Sequence, residues 1–265
     1  MKKTLLGVVL VLSLFGGLGV TGWYVVKEDL AAQSVYRLSA GRIIVPQRPA
    51  WVPSDFVETT LLHSNLEVEN SLLDKSLPHK LSQAFTASPW VEDVEQVKIQ
   101  YPSGAVVRLT YRTPVALVDV GTQGSFPVDR NGVLLPTDYF INAAEDQMQE
   151  YLHIQGIQSK PLGAAGTLWG DSLVHDAAGL AGELYTVAAK LSLARIVPFQ
   201  QKTPTGNRVF CHLVTKGGTE ILWGRFEPND PKNDGRKKHL LELAELYRSL
   251  DGIPKNFQPV DLTKE

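Results

Sequence analysis

The chain has 265 residues, of which 43% are hydrophobic and 20% are charged, and its formal net charge is −2 at pH 7. This composition is that of a folded chain and excludes a largely disordered one. The small net charge gives no electrostatic footprint for nucleic acid. The single cysteine, Cys211, excludes an intramolecular disulfide and a cysteine-rich metal site. We expect its thiol to be buried as a small hydrophobe.

The N-terminus predicts a membrane segment. Lys2 and Lys3 precede an uninterrupted run of 22 uncharged residues, Leu5–Val26. About 20 apolar residues span a bilayer, and basic residues before the span favour a cytoplasmic N-terminus. A cleaved signal peptide is the alternative, but its apolar region is shorter, about 7–15 residues, and ends at a small-x-small site. The pattern therefore favours an uncleaved transmembrane helix at residues 5–26, with residues 1–4 cytoplasmic and the rest extracytoplasmic.

Residues 27–120 predict a first extracytoplasmic unit of two helices and about three strands. Alternating polar and apolar residues indicate the strands, and apolar residues spaced three and four apart indicate the helices. We expect Trp90, at the corner after the second helix, to be buried. The predicted elements are a strand at Tyr36–Val45, helices at Ser54–Leu62 and Ser71–Ala87, and strands at Val97–Tyr101, Val107–Tyr111 and Val115–Val120.

Residues 121–265 predict a larger unit with a mixed sheet and helices. Asn131-Gly132 suits a tight hairpin turn, and Gly252 suits the end of the last helix. The predicted fold class is therefore α+β: a transmembrane helix, a first domain, then a mixed domain ending in a helix and an edge strand. The predicted elements are strands at Ser125–Val128, Val133–Leu135, Arg208–Thr215, Thr219–Trp223 and Pro259–Leu262, and helices at Asp171–Ile196 and Arg236–Leu250.

No motif in the sequence predicts catalysis. The six histidines form no pair at metal-ligand spacing, and the usual serine-nucleophile and phosphate-loop motifs are missing. Asp129 precedes a turn and is expected to accept local backbone N–H bonds. Arg236 belongs to a basic cluster, Lys232 with Arg236–His239, that is expected to be a solvated first helical turn. The sequence thus predicts no enzyme activity, no cofactor and no metal.

Three stretches carry a resemblance to a known family. The first, residues 81–120, contains Pro89-Trp90-Val91 and the segment Arg112-x-Pro114-Val115-Ala116. The second, "FPVDRNGVLLP", has Val128-Asp129 before a glycine turn. The third runs from "EILWGRF" to "PVDL" at the C-terminus. Together they resemble the extracytoplasmic region of FtsQ/DivIB-type cell division proteins, with a POTRA domain at residues 27–120 and an FtsQ-like beta domain at 121–265.

The resemblance implies a non-enzymatic scaffold of the divisome. It implies a single-pass protein of the inner membrane, enriched at the division septum, that binds FtsB/FtsL-type bitopic proteins near its C-terminal strand. It implies neither a nucleic-acid partner nor a small-molecule substrate. The alternatives are an exported enzyme or ligand-binding protein, and another POTRA-bearing assembly or secretion factor. A deep pocket with converging polar side chains would favour the ligand-binding alternative.

The predicted partner site lies at the C-terminal edge of the second unit. An exposed strand edge can pair with an incoming strand, and aromatic side chains often anchor such interfaces. The alternative is that the aromatic rings are buried and the edge is merely capped. The predicted partner-binding residues are Trp223, Tyr247, Pro259, Val260, Asp261 and Leu262.

Overall fold

A computed structural model describes residues 36–66, 70–102, 104–141, 150–204, 206–246 and 260–264. These residues form two compact units that divide between Thr110 and Tyr111. The division falls before the predicted strand at Val115–Val120, which was placed in the first unit. That strand pairs with two strands of the second unit, at Ser125–Val128 and Leu152–Ile154.

The first unit has a three-stranded sheet covered by helices. Strand β1 is Ile43–Ile44, helix α1 is Phe56–His63, helix α2 is Leu77–Thr86, and strands β2 and β3 are Val91–Gln100 and Gly104–Tyr111. The strand order is β1-β3-β2, and β1 runs parallel to β3. The unit therefore has the predicted two helices and three strands, although the predicted strand Tyr36–Val45 shrinks to two residues.

Helix α2 supplies much of the first unit's core. Pro78 lies in its first turn, where a missing N–H costs nothing and the fixed φ suits a helix, so the helix begins at Leu77 rather than at Ser71. Leu77, Leu81 and Phe85 face inward and are completely buried. Trp90 follows at the corner into β2 and is 6% exposed, which confirms its predicted burial.

The second unit has a seven-stranded sheet. Its strands are β4 (Ala116–Asp119), β5 (Ser125–Val128), β6 (Leu152–Ile154), β7 (Leu193–Thr203), β8 (Gly206–Thr215), β9 (Glu220–Gly224) and β10 (Val260–Asp261), in the order β10-β9-β8-β7-β6-β4-β5. Its helices are α3 (Asp138–Ile141), α4 (Ser172–Leu184) and α5 (Pro231–Leu246). Strands β4, β6 and β7 are mutually parallel, whereas β5 and β8 pair antiparallel with their neighbours.

Helix α4 packs on one face of this sheet and forms the core with it. Asp171 caps the helix, since its carboxylate accepts the Leu173 N–H at 2.9 Å. The buried side of the helix is rich in alanine and leucine, which lets it lie close to the strands. Val118, Ile154 and Ile196 meet it from three adjacent strands, and all three are completely buried.

The predicted helix at Asp171–Ile196 is wrong in its second half. The helix ends at Leu184, turns follow, and Leu193 begins strand β7. Ser192 has a φ of 49°, in the left-handed region that no α-helix uses. Val187 and Leu191 remain buried in the turns, so the apolar spacing persists where the helix does not.

The predicted fold class also needs correction. The described residues form a mixed α and β fold with two sheets, and none of their helices is both long and apolar enough to cross a membrane. The predicted transmembrane segment, Leu5–Val26, lies outside the described residues. The predicted C-terminal helix begins earlier than expected, at Pro231, and residues 247–259, including the predicted stop at Gly252, are outside the described ranges as well.

Candidate functional site

Strand β10 occupies one end of the seven-stranded sheet. It pairs in parallel with β9, with Val260 opposite Ile221 and Asp261 opposite Leu222. In the sheet order it has no second neighbour among the strands of the described chain. Val260 and Asp261 are both half-buried. The structure thus places these two predicted partner-binding residues on a sheet edge, as strand addition requires.

The chain leaves the edge immediately after β10. The Asp261 carboxylate accepts the Thr263 N–H at 2.9 Å and the Thr263 hydroxyl at 2.6 Å, which starts a short 3-10 helix at Leu262–Lys264. Thr263 then lies against β9 at Gly224, where an added Cβ would be 2.7 Å from its methyl group. The edge strand is therefore short and held in place at its end.

Two of the predicted side chains are buried and do not serve as surface anchors. Trp223 is completely buried, with the Arg236 guanidinium 5.7 Å from its ring centroid. Leu262 is 1% exposed and belongs to the core. Trp223 is therefore not an exposed aromatic contact, contrary to the prediction. Tyr247 and Pro259 lie outside the described residues.

The prediction of a solvated basic cluster is wrong for Arg236, whereas the other four basic residues of the cluster are exposed or half-buried. Because α5 begins at Pro231, Arg236 falls on the same helical face as Asn233 and Leu240, and all three are buried. Its guanidinium donates to the Arg225 carbonyl at 3.0 Å and covers the Trp223 ring. Arg236 thus packs against Trp223 on β9, and its charge is not exposed for a partner to bind.

A second candidate region lies on the face of the sheet opposite α4. His153 on β6 pairs with Leu117 on β4 and with Arg195 on β7, so these side chains point to the same face. Asp119 and Gln155 lie two residues further along their chains and keep that direction. Strand pairing thereby gathers residues that are far apart in the sequence.

Asp119 is the centre of this group. Its carboxylate accepts the Ser125 hydroxyl at 2.6 Å, the Gln155 side-chain amide at 3.0 Å and the His153 Nδ1 at 3.0 Å. Burial alone would raise the pKa of Asp119, but these hydrogen bonds from His153, Ser125 and Gln155 outweigh it and lower the pKa below its usual value. The carboxylate is therefore ionised at neutral pH.

This hydrogen bonding fixes the roles of the neighbours. An ionised carboxylate only accepts hydrogen bonds, so the His153 Nδ1 carries the proton. The Ser125 hydroxyl donates to Asp119 and not to the imidazole, so the three side chains do not form a serine–histidine–aspartate relay. In the part of the chain that the structure describes, no group of His, Cys, Asp and Glu side chains could hold a metal ion.

The Asp119 group lines an open cavity of about 770 Å³. Arg195 and Lys216 reach its wall from β7 and from the turn after β8, and the backbone of Gly121 and Gly124 forms another side. This polar cavity was not predicted from the sequence. Its local signal is only a polar residue alternating with an apolar one, as in His153-Ile154-Gln155, which is the ordinary pattern of a half-buried strand.

Asp129 shows the predicted local bonds and one more contact. Its Oδ1 accepts the backbone N–H groups of Asn131 at 2.8 Å and Val133 at 2.9 Å, which confirms its role in the turn. Its Oδ2 accepts from the Arg112 guanidinium at 2.6 Å. Asp129 is 2% exposed and Arg112 is 18% exposed, so the pair is a largely buried ion pair.

Comparison with known proteins leaves the family open. No protein-family model matches the chain, and no curated protein sequence matches it. The resemblance to FtsQ/DivIB-type proteins therefore stays a prediction from the three sequence stretches.

Proposed function

We propose that the protein is a non-enzymatic scaffold of the cell division machinery. In this proposal it acts at the septum, with its two units extracytoplasmic, and binds FtsB/FtsL-type bitopic proteins. The observation that carries the proposal is strand β10 at the edge of the seven-stranded sheet. We do not include the predicted membrane segment, Leu5–Val26, in this proposal.

The first unit supports the proposal through its chain order. The order of its elements is the one that the resemblance implies. Helix α2 is followed by the corner at Pro89-Trp90-Val91, then by strand β2, a turn and strand β3. Trp90 is buried at that corner, so the motif has a packing role. Strands β1 and β2 are the outer strands of its sheet in the described residues, and strand edges can bind other polypeptides through backbone pairing.

The second unit supports it through a contact between two motifs. Arg112 begins the Arg-x-Pro-Val-Ala segment, and Asp129 belongs to the Val-Asp pair before the glycine turn. The two residues form the buried ion pair described above. Each motif therefore has a structural partner in the other, which gives their joint occurrence a physical reason.

The edge strand is the proposed binding surface. An incoming strand would pair with the backbone of Val260 and Asp261, on the side away from β9. Val260→Pro removes a backbone donor and opposes strand pairing. Val260→Thr is the matched control, because it keeps both the N–H group and the β-branched shape.

The test is co-purification from the envelope of dividing cells. We expect the wild type and Val260→Thr to recover FtsB/FtsL-type proteins, and Val260→Pro to lose most of them while its thermal unfolding temperature stays near that of the wild type. Equal recovery by a folded Val260→Pro variant would contradict binding at this edge.

A further inference from the structure

We propose that the cavity beside Asp119 is a binding site for a small anion, whose carboxylate or phosphate group contacts Arg195 and Lys216. This site goes beyond the scaffold role and does not rest on it. Most of its lining lies on or between strands β4, β5, β6 and β7, whereas β10 is the edge strand beyond β8 and β9.

The charges around the cavity favour an anion. Its lining contains two basic side chains, Arg195 and Lys216, and one carboxylate, that of Asp119. Neither cation forms an ion pair with a carboxylate among the described residues. The hydrogen bond from the Arg195 guanidinium to the Gln155 side-chain oxygen is long, at 3.4 Å. The lining therefore has an excess of positive charge.

The one carboxylate is already occupied. Asp119 accepts hydrogen bonds from three side chains, so most of its acceptor capacity is used within the protein. A ligand cation would have to displace these donors, whereas a ligand anion would meet Arg195 and Lys216 directly. Glu150 lines a neighbouring cavity that shares Lys216, and no ion pair joins the two among the described residues.

The polar group beneath the cavity holds its shape. The bonds to Asp119 tie β4, β5 and β6 together at one point and fix the orientation of the His153 ring. Gly121 and Gly124 have φ values of 47° and 103°, and apart from their chain neighbours no atom lies within 4 Å of the position of an added Cβ. Both residues are exposed, so there is room for a ligand beside the turn. A volume of about 770 Å³ is that of a small-molecule site.

The recognised chemistry is a planar or tetrahedral anion. A guanidinium can bind carboxylate or phosphate through two parallel hydrogen bonds, and an ammonium adds a point charge. Inorganic phosphate and succinate represent the two sources of such a group. The probe that binds with the higher affinity shows whether the cavity prefers a phosphate or a carboxylate.

The experiment is isothermal titration calorimetry, in which the full-length protein is titrated with each probe at constant ionic strength. The variant Arg195→Gln/Lys216→Gln removes both cations and leaves shorter, uncharged polar side chains. The matched control is Lys202→Gln, which removes an exposed lysine seven residues further along β7, about 23 Å from Arg195 at the rise of a strand.

We expect saturable binding of at least one probe, weakened about tenfold or more in the double variant and unchanged in the control, since charge-assisted hydrogen bonds are lost. Hydrogen exchange at Gly121–Ser125 should slow when the bound probe is added to the wild type. Absence of saturable binding by both probes would overturn the proposal, and so would equal affinity in the folded double variant.

Discussion

Replacing Arg112 tests the buried ion pair that joins two of the sequence motifs. In Arg112→Met the side chain keeps most of its apolar stem but loses the guanidinium that bonds Asp129 at 2.6 Å. Removing one partner of a buried ion pair typically costs about 3–5 kcal/mol, because the other charge stays buried without compensation. We expect about 3 kcal/mol, at the low end, because Asp129 keeps two backbone hydrogen bonds.

The assay is chemical unfolding of the wild type and the variant, followed by tryptophan fluorescence. Arg225→Met is the matched control, since Arg225 forms an ion pair with Glu227 at the surface, where both side chains are more than 40% exposed. Surface pairs contribute about 0–1 kcal/mol. If Arg112→Met lowers the free energy of unfolding no more than Arg225→Met does, the reasoning about the buried pair is refuted.

A double-mutant cycle separates the pair from the packing of its stems. Asp129→Asn keeps an oxygen for the N–H groups of Asn131 and Val133 but removes the charge. With both changes present, no buried charge is left uncompensated. We therefore expect the double variant to be more stable than the sum of the two single effects predicts, by about 1–3 kcal/mol. Strict additivity would show that the two groups do not interact.

Three further predictions concern other parts of the two units. Trp90→Ala should destabilise the first unit by about 3–5 kcal/mol in chemical unfolding, because the ring is 6% exposed, and an unchanged midpoint would contradict its burial. Burial raises the pKa of the Cys211 thiol to about 12, so it should resist alkylation at pH 8 until the protein unfolds, and rapid labelling of the folded protein would oppose this. Hydrogen bonds from Lys80 and from Ser76 lower the pKa of Asp74 to about 2. Because that pKa is depressed, the stabilisation by Asp74 is present above about pH 4 and is lost as the pH falls toward 2. Asp74→Asn should therefore lose less stability than the wild type over that range. Parallel acid-unfolding profiles of the two proteins would contradict this prediction.

Most strands and helices of both units follow from local sequence patterns. The alternation around Val107 and the turn glycines predict hairpins, and the spacing of Leu77, Leu81 and Phe85 predicts the buried face of α2, although not its start at Leu77. These features depend on neighbours within a few residues. Strand β10, at an edge of the seven-stranded sheet, falls within the predicted strand Pro259–Leu262.

The errors arise where distant pairing overrides local pattern. The apolar spacing of a helix continues through Leu191, yet the left-handed φ of Ser192 and the pairing of Arg195 with His153 turn the next residues into strand β7. Arg236 reads as a surface charge, but a helix that begins five residues earlier turns it onto Trp223. Neither effect is visible within a short window of sequence.

The cavity beside Asp119 could not be predicted for the same reason. Asp119 and His153 are separated by 34 residues and meet only because β4 and β6 pair in parallel. The sequence shows single polar residues on half-buried strands, which are common in any sheet. Only the register across four strands brings these residues and the two cations to one place.

Site-specific photo-crosslinking in dividing cells tests the proposed scaffold role most directly, because it reports both the partner and the surface. A photoreactive residue at Val260, on the edge strand, is compared with one at Lys202, an exposed position on β7. We expect crosslinks from position 260 to FtsB/FtsL-type bitopic proteins and few or none from position 202. Crosslinks to such proteins from position 202 alone, or none from position 260 in a folded protein, would contradict it.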